Sequence, residues 1–371
     1  MTEKRKPLLL DLHIPYCIQP ENYLDYFHAI GSNAEKNMYL TCLGREILSY
    51  EGDLEDYEIR AIRMSGGSAS VMSPDLLGKV LTLAREKLPV AKGAQVSYEA
   101  LPNTVGTPHL TGIAAGHPNR VELMMRSESD EELRTLNCPF TMQDTRNALL
   151  FLNRFHMNNI GLTVNYGIPG QTMQSWKNTL HACVIIHPGH LRVEPLDQMK
   201  DWESSLALYE YAVRYLQENG YHQYKTGCFC LPNHEDRFEL YSSMGTERIG
   251  LGVGNKSFFD GYIIRNTNNL QLYMKNAGQV EKVTAEVAEA ESEEIMKTYL
   301  FGRLQLAGGF STEEFKEKFS EEFPVHLREI VERLMEDGFA EESDGKTVLT
   351  VRGQYYFREI CDSLQRKKKH N

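Results

Sequence analysis

The first two hundred residues alternate short apolar runs with longer segments in which apolar residues recur at helical spacing. Such alternation is typical of repeated βα units around a parallel sheet. The predicted strands cover residues 8–14, 59–64, 95–100, 119–124, 161–166 and 191–195. The predicted helices between them cover about residues 37–50, 74–87, 141–156 and 172–186. Because there are six units and not eight, we expect an α/β fold with a partial, six-stranded TIM-type parallel barrel, whose site lies at the carboxyl ends of its strands.

The repeat stops near residue 200. An amphipathic helix is predicted at residues 206–219, and a glycine-rich segment at 250–254 indicates a close backbone approach more readily than a dinucleotide site. Residues 276–294 are acidic and alanine-rich, which is typical of an exposed connection or a solvated helix. After them, helices at 295–306, 312–319 and 326–337, a strand at 346–351 and a last helix predict a winged-helix-like α+β domain.

These patterns predict three parts. They are the barrel at residues 1–205, an extension with the glycine-rich segment at 206–290, and the winged-helix-like domain at 291–371. Winged-helix folds often bind DNA, but this segment shows no basic recognition face, so a packing or partner role is favoured over transcriptional regulation.

Composition and charge narrow the classes of function. With 371 residues, 41 % hydrophobic and 25 % charged, the chain should be a folded, water-soluble protein. A net charge of −11 disfavours nucleic-acid binding, and the basic run at 366–369 is typical of a solvated tail. The sequence contains neither a membrane span of ~20 apolar residues nor a signal peptide, so we expect a cytoplasmic location. Seven scattered cysteines predict reduced thiols.

Polar residues follow the predicted strands, where a barrel would bring them to one rim. His13, Glu99, Arg126, Asn165 and Glu194 stand at such positions. A carboxylate and a guanidinium there, Glu99 and Arg126, would clamp a zwitterionic ligand or pair with each other. An arginine at the rim would also suit a carboxylated ligand such as a tetrapyrrole with propionates.

Two groups of residues have metal-ligand chemistry, and each has a plainer interpretation. His13, Cys17, Glu21 and Asp25 are spaced by four, but prolines at 15 and 20 would break the helix that such spacing requires, so loop residues are favoured. The Cys-Phe-Cys sequence at residues 228–230 could bind a soft metal or form a redox pair, although buried thiols on one face of a strand are the favoured interpretation.

Several motifs occur in one order along nearly the whole chain. They are His-Ile-Pro-Tyr-Cys at 13–17, Ser-Gly-Gly-Ser-Ala-Ser at 65–70, Tyr-Gly-Ile-Pro-Gly-Gln-Thr at 166–172, Gly-Leu-Gly-Val-Gly at 250–254 and Leu-Thr-Val-Arg-Gly at 349–353. Together they resemble the HemN/HemW family of radical S-adenosylmethionine (SAM) proteins, which comprises oxygen-independent coproporphyrinogen III oxidases and haem chaperones. The resemblance implies a [4Fe–4S] cluster on three cysteines, with SAM on the fourth iron.

The chain departs from the family at the cluster. Only Cys17 remains of the three cysteines, because the second and third positions are Glu21 and Leu24. Iron–sulfur clusters need thiolate ligands, so we do not expect a [4Fe–4S] cluster.

The positions that bind SAM in the family have changed as well. The family's Gly-Gly-Gly-Thr-Pro loop stands here as Ser-Gly-Gly-Ser-Ala at 65–69, and Glu99 is kept. The family's glutamine is Arg126, its arginine is Cys138, its aspartate is Thr163, and the tyrosine before the His-Ile-Pro triplet is Asp11. The predicted ligand-binding residues are His13, Tyr16, Gly66, Gly67, Ser68, Glu99, Arg126, Thr163 and Asn165.

The haem-chaperone signature is also altered. Its His-Asn pair aligns to Phe238 and Glu239, and its Tyr-Trp pair to Ser242 and Ser243. His234 stands four residues before the histidine position and would replace it only if the loop shifted.

These observations favour a pseudo-radical-SAM protein that keeps the barrel and has lost the redox chemistry. It would bind a small molecule in the barrel mouth or a protein partner, with tetrapyrrole or haem handling as one role. The alternative is an active coproporphyrinogen III oxidase-like radical SAM enzyme or a haem chaperone. SAM and haem stay open as ligands, and neither nucleic acid nor a membrane span is expected.

Overall fold

The computed structural model describes residues 5–19, 29–196 and 202–366. Within these residues one sheet has twelve strands, in the order β12-β11-β10-β9-β1-β2-β3-β4-β5-β6-β8-β7. The first six strands are β1 (Lys6–Ile14), β2 (Tyr57–Gly66), β3 (Val90–Ala100), β4 (Arg120–Arg126), β5 (Ile160–Tyr166) and β6 (His190–Pro195). The others in this sheet are β7 (His222–Lys225), β8 (Cys228–Cys230), β9 (Glu247–Leu251), β10 (Lys256–Phe259), β11 (Tyr262–Asn266) and β12 (Thr284–Glu289).

The helices of the barrel half follow its strands. They are α1 (Asn33–Leu48), α2 (Pro74–Lys87), α3 (Thr107–Ile113), α4 (Asp130–Thr135), α5 (Met142–Arg154), α6 (Met173–Ile186) and α7 (Trp202–Glu218). Beyond the barrel come α8 (Arg237–Ser243), α9 (Leu270–Asn276), α10 (Val280–Val283), α11 (Ser292–Gln305), α12 (Thr312–Phe319), α13 (Val325–Glu336), α14 (Val351–Tyr355) and α15 (Phe357–Arg366). The prediction of a partial parallel barrel is confirmed, because β1 to β6 pair in parallel in sequence order.

The four helices predicted between the strands form, although α1 begins at Asn33, four residues before the predicted start. The hydroxyl of Thr172 accepts a hydrogen bond from the Ser175 amide and so caps the start of α6. Along the strands, alternate residues such as Leu8, Leu10 and Leu12 pack outward against the helices in the main hydrophobic core. This alternation leaves the other face of each strand to line the barrel lumen.

The sheet extends beyond the six strands on both sides. β9 pairs in parallel with β1, and β10 to β12 continue from it antiparallel. On the other side β8 and β7 add antiparallel strands to β6. Residues 276–294 are largely exposed, as predicted, but they form neither a plain connection nor a single helix. They contain the short helix α10 and the strand β12, which completes the edge of the sheet.

The glycine-rich segment allows a close backbone approach. A Cβ on Gly250 would lie 2.4 Å from the Lys256 carbonyl oxygen, and Gly252 has a φ of +102°. The Gly252 amide donates to the carboxylate of Glu46 at 2.8 Å, a fully buried group that also accepts from Asn266. The glycines therefore fix the β9–β10 turn against α1.

α7 belongs to the barrel. It packs on α6 and β5, as the helix of the sixth βα unit. The indole of Trp176 on α6 is fully buried and donates to the Leu208 carbonyl of α7 at 2.8 Å. The predicted boundary at residue 205 therefore falls inside a barrel helix, and the three-part division of the chain stays a prediction.

The C-terminal segment has its own core and a two-stranded sheet. α11, α12 and α13 enclose an aromatic cluster that includes Phe310, Phe315 and Phe323. β13 (Ala340–Ser343) and β14 (Lys346–Leu349) form the hairpin that follows these helices. Three helices and a hairpin match the predicted winged-helix-like arrangement. Among the described residues, no helix is long and apolar enough to cross a membrane.

Candidate functional site

The inward face of the barrel carries charged side chains where the outward face carries leucines and valines. Because side chains alternate along a strand, every second residue of β1 to β6 faces the lumen. The charged residues on this face are Asp11, Arg63, Glu99, Arg120, Glu122, Arg192 and Glu194. Buried charges are costly unless they are paired, so their partners decide how the lumen is organised.

Arg63 joins β2 to β1 and to α8. Its guanidinium lies 3.3 Å from an Asp11 carboxylate oxygen and 2.7 Å from a Glu239 oxygen, and stacks 4.0 Å from the Phe238 ring centre. Asp11 is the position at which the family has tyrosine. This substitution therefore supplies a carboxylate to a buried arginine.

Two further arginines connect the opposite wall to the same helix. Arg192 lies 3.2 Å from Asp236 and 3.8 Å from Glu99. Arg120, which has no exposed surface, lies 3.0 Å from Glu122 and 3.8 Å from Asp236. Asp236 is thus shared between two buried guanidinium groups.

α8 closes the lumen at the end where the parallel strands begin. Asp236 caps this helix by accepting from the amides of Phe238 and Glu239, and Phe238 packs on Leu9 and Ala61. The ammonium of Lys225, then the guanidinium groups of Arg63 and Arg192, hold the pKa of Glu239 well below its usual range. Phe238 and Glu239, which stand at the family's His-Asn positions, are therefore structural contacts of the barrel floor.

At the carboxyl ends of the strands, Glu99 and Arg126 each pair with β6. Glu99 contacts Arg192, and Arg126 lies 3.6 Å from Glu194 and donates to the amide oxygen of Asn165 at 3.1 Å. Arg126 has a φ of +64°, a left-handed conformation uncommon for a residue other than glycine. The two residues predicted to clamp a ligand are thus tied to one strand by separate ion pairs.

The loops after β1 and β2 are held together by backbone contacts. The Gly67 amide donates to the Ile14 carbonyl at 2.6 Å, and the Ser68 amide donates to the Tyr16 carbonyl at 2.9 Å. A Cβ on Gly66 would lie 2.7 Å from the ring of His13. The predicted ligand-binding residues of these loops are therefore brought together at one rim, as the sequence predicted.

Two predicted hydroxyls are engaged inside the protein. Thr163 is fully buried and donates to Glu122 at 2.9 Å, while the Ser68 hydroxyl lies 2.9 Å from that of Ser70. The ligand-binding roles predicted for the nine residues, His13, Tyr16, Gly66, Gly67, Ser68, Glu99, Arg126, Thr163 and Asn165, stay predictions.

The structure adds functional candidates that the sequence did not single out. Arg192, Lys225 and Glu239 meet at a cavity of about 280 Å³ beside β6. We call it the β6 cavity. Its other charged lining residues are Glu194 and Arg358, and its aromatic lining includes Tyr166, Tyr209 and Tyr355. The alternation of His190, Arg192 and Glu194 along β6 would have indicated an inward position for Arg192, whereas Lys225 and Glu239 arrive from elements with no barrel periodicity.

Glu99 should make the stability of the protein depend on pH. Burial raises its pKa to about 7, although Arg192 and Arg63 oppose the shift. The folded state therefore binds this proton more tightly than the unfolded chain, so the stabilisation is complete below about pH 4.5 and is lost as the pH rises to about 7.

We expect the unfolding free energy of wild type to fall relative to that of Glu99→Gln as the pH rises between these limits, because the amide stays neutral. Urea unfolding at a series of pH values measures the difference. Parallel curves for the two proteins would contradict the assignment.

The loop after β1 contains a single cysteine, Cys17. All seven cysteines lie in the described residues and none forms a disulfide. Cys17 is buried, with its sulfur 3.7 Å from the Ala29 carbonyl oxygen, and Cys42 lies on α1 with its sulfur 3.3 Å from the Met274 carbonyl oxygen. The aligned positions Glu21 and Leu24, like Asp25, lie outside the described residues.

Comparisons with known proteins agree with the fold and the motifs. No protein-family model matches the chain. The haem chaperone HemW of Escherichia coli is 25 % identical over 280 residues, which cover 71 % of this chain and 74 % of the relative. The HemW of Bacillus subtilis is 20 % identical over 366 residues, which cover 94 % and 97 %. The chain is thus similar to HemW proteins over most of its length.

A solved structure shows the same architecture. Coproporphyrinogen III oxidase HemN of E. coli, a radical SAM enzyme, matches with a TM-score of 0.82 at 17 % identity, over 96 % of this chain and 89 % of HemN. The likeness therefore includes the barrel and the C-terminal segment of this chain.

Proposed function

We propose that this HemW/HemN-like protein binds a carboxylated tetrapyrrole without carrying out radical chemistry. The observation that carries the proposal is the motif at residues 13–24, which offers one thiolate, Cys17, where a cluster needs three. Without a cluster there is no electron donor for SAM cleavage. The names of the relatives supply the ligand class, because the matched proteins are haem chaperones.

The β6 cavity is the place we propose for the carboxylate-bearing edge of the ligand. Three cations, Arg192, Lys225 and Arg358, and two carboxylates, Glu194 and Glu239, line it. This local excess of positive charge stands out in a chain of net charge −11. Guanidinium groups bind carboxylates through paired hydrogen bonds.

An aromatic wall completes the cavity. Tyr166 stacks on Tyr209 with ring centres 5.7 Å apart, and Tyr355 packs 6.2 Å from Tyr209. Flat aromatic side chains suit the face of a macrocycle, and the adjacent cations suit its propionates.

Iron analysis tests the loss of the cluster. After anaerobic reconstitution with iron and sulfide, we expect far less than one iron per chain and no charge-transfer absorbance. A content of about four irons per chain would overturn the proposal and favour an active radical SAM enzyme, with Cys17 as one ligand.

Ligand titration tests the binding role. We expect haem or coproporphyrin to give a saturable spectral change at micromolar concentration, and Arg358→Ala to weaken it by about tenfold, because a hydrogen bond between a charged pair is lost. Arg358 is exposed, so its removal should leave the fold intact.

Arg352→Ala is the matched control, because Arg352 is also exposed in the preceding helix but does not line the cavity. Equal ligand affinity in the two variants would contradict the proposal that the ligand binds in the β6 cavity. The absence of any saturable spectral change would contradict the proposal that the protein binds a tetrapyrrole.

A further inference from the structure

Three potential metal ligands that do not line the β6 cavity meet beside the amino-terminal end of β6. The Nε2 atom of His222 lies 3.2 Å from the sulfur of Cys230 and 3.5 Å from a carboxylate oxygen of Glu235. All three donor atoms lie within 4.8 Å of one another. Among the described residues, no other group of three His, Cys, Asp or Glu side chains has its donor atoms close enough together to share an ion.

The backbone places these side chains together before any ion binds. His222 and Cys230 are direct partners in the antiparallel β7–β8 register, so their side chains share one face of the sheet. The loop after β8 returns Glu235 to that face, and its carbonyl accepts from Gln95 at 3.2 Å. The Arg237 amide donates to the same Gln95 at 2.9 Å, so this side chain holds the loop at Glu235 and two residues after it.

The geometry separates a metal site from a catalytic cysteine. In a Cys-His-Glu relay, the thiol and the carboxylate contact opposite nitrogens of the imidazole ring. Here both contact Nε2, so the three donors converge on one point. A nucleophile that attacks an external substrate needs exposed surface, and Cys230 has none.

We propose that His222, Cys230 and Glu235 bind a zinc ion. A tetrahedral ion with Zn–S of about 2.3 Å and Zn–N of about 2.0 Å separates its sulfur and nitrogen ligands by about 3.5 Å. The observed separation of 3.2 Å needs only a small adjustment. Mixed sulfur, nitrogen and oxygen donors select zinc over magnesium or calcium. The side chains of His222 and Glu235 are 47 % and 31 % exposed, which leaves the fourth position open to solvent.

Charge and protons balance in this site. A cysteine thiol with its ordinary pKa of about 8.5 is protonated at neutral pH before the ion arrives. Binding forms a sulfur–zinc bond and releases that proton to water. One thiolate and one carboxylate then neutralise the divalent ion.

Metal titration of the full-length, untagged, reduced protein tests the site. We expect one zinc per chain in competition with a chromophoric chelator, and one cobalt per chain with a thiolate-to-cobalt charge-transfer band in the near ultraviolet. Calorimetry in two buffers of different ionisation enthalpy should show the released proton. His222→Ala should weaken binding at least about tenfold, since even the supporting contacts of a metal site are worth that much.

Matched variants separate this site from chance binding. Cys230→Ser should abolish the charge-transfer band, whereas Cys228→Ser, on the same strand, should retain it. His326→Ala removes a surface histidine 3.8 Å from Glu293 with no thiol in the group and should leave affinity unchanged. If Cys230→Ser fails to fold, the exposed His222 still provides the test.

Zinc affinity equal in wild type and His222→Ala would overturn the proposal, as would cobalt binding without the charge-transfer band. The result is independent of the proposed tetrapyrrole role. Arg358→Ala changes only the β6 cavity and should bind zinc as wild type does, so failure of either proposal leaves the other to be judged by its own experiment.

Discussion

Replacing Arg120 with methionine is expected to lower the free energy of unfolding by about 3–5 kcal/mol, the range for breaking a buried ion pair by removing one partner. Arg120 has no exposed surface, and its loss leaves Glu122 and Asp236 buried beside a neutral side chain. Asp236 also caps α8, so the floor of the lumen should loosen with it. Denaturant unfolding followed by circular dichroism measures the change.

Arg60→Met is the control for this prediction. Arg60 pairs with Glu58 at 2.7 Å, but their side chains are 40 % and 31 % exposed. An exposed pair contributes about 0–1 kcal/mol, so this variant should stay close to wild type. Equal losses from the two arginine variants would show that the lumen pairs are no more important than surface pairs.

Replacing Gly67 with alanine is expected to destabilise the protein by about 3 kcal/mol, the upper part of the range for overpacking. A Cβ at this position would lie 2.2 Å from the Tyr16 carbonyl oxygen and 2.6 Å from its carbon. Both are backbone atoms, so relief requires the loops after β1 and β2 to separate. That movement would break the amide contacts that bring His13 and Ser68 to one rim.

Gly93→Ala is the matched control. Gly93 is exposed on β3, and a Cβ there would meet no atom within 4 Å. We expect an unfolding free energy within about 0.5 kcal/mol of wild type, as for other surface substitutions. A loss in this variant as large as in Gly67→Ala would contradict the steric explanation.

Local patterns in the sequence were sufficient for the repeated part of the fold. The prediction of a strand at 8–14 and the structure's β1 differ only at the amino-terminal end, and the predicted helix at 74–87 has the same bounds as α2. The reason is physical, because alternation and helical spacing are consequences of burying one face of an element. The strands β9 to β12 are short and show no clear alternation of apolar and polar residues. They form because they pair with strands from other parts of the chain.

The candidate site divides in the same way. The sequence by itself determined that Cys17 has no cysteine partners in its motif, and that Glu99 and Arg126 stand at strand ends. Only the tertiary structure decided that both pair with β6, that Lys225 and Glu239 reach the same cavity, and that His222, Cys230 and Glu235 converge. The sequence states which residue stands at each position. The partner of a buried charge or thiol, in contrast, depends on contacts between segments that are far apart in the chain, and these contacts form only when the sheet assembles.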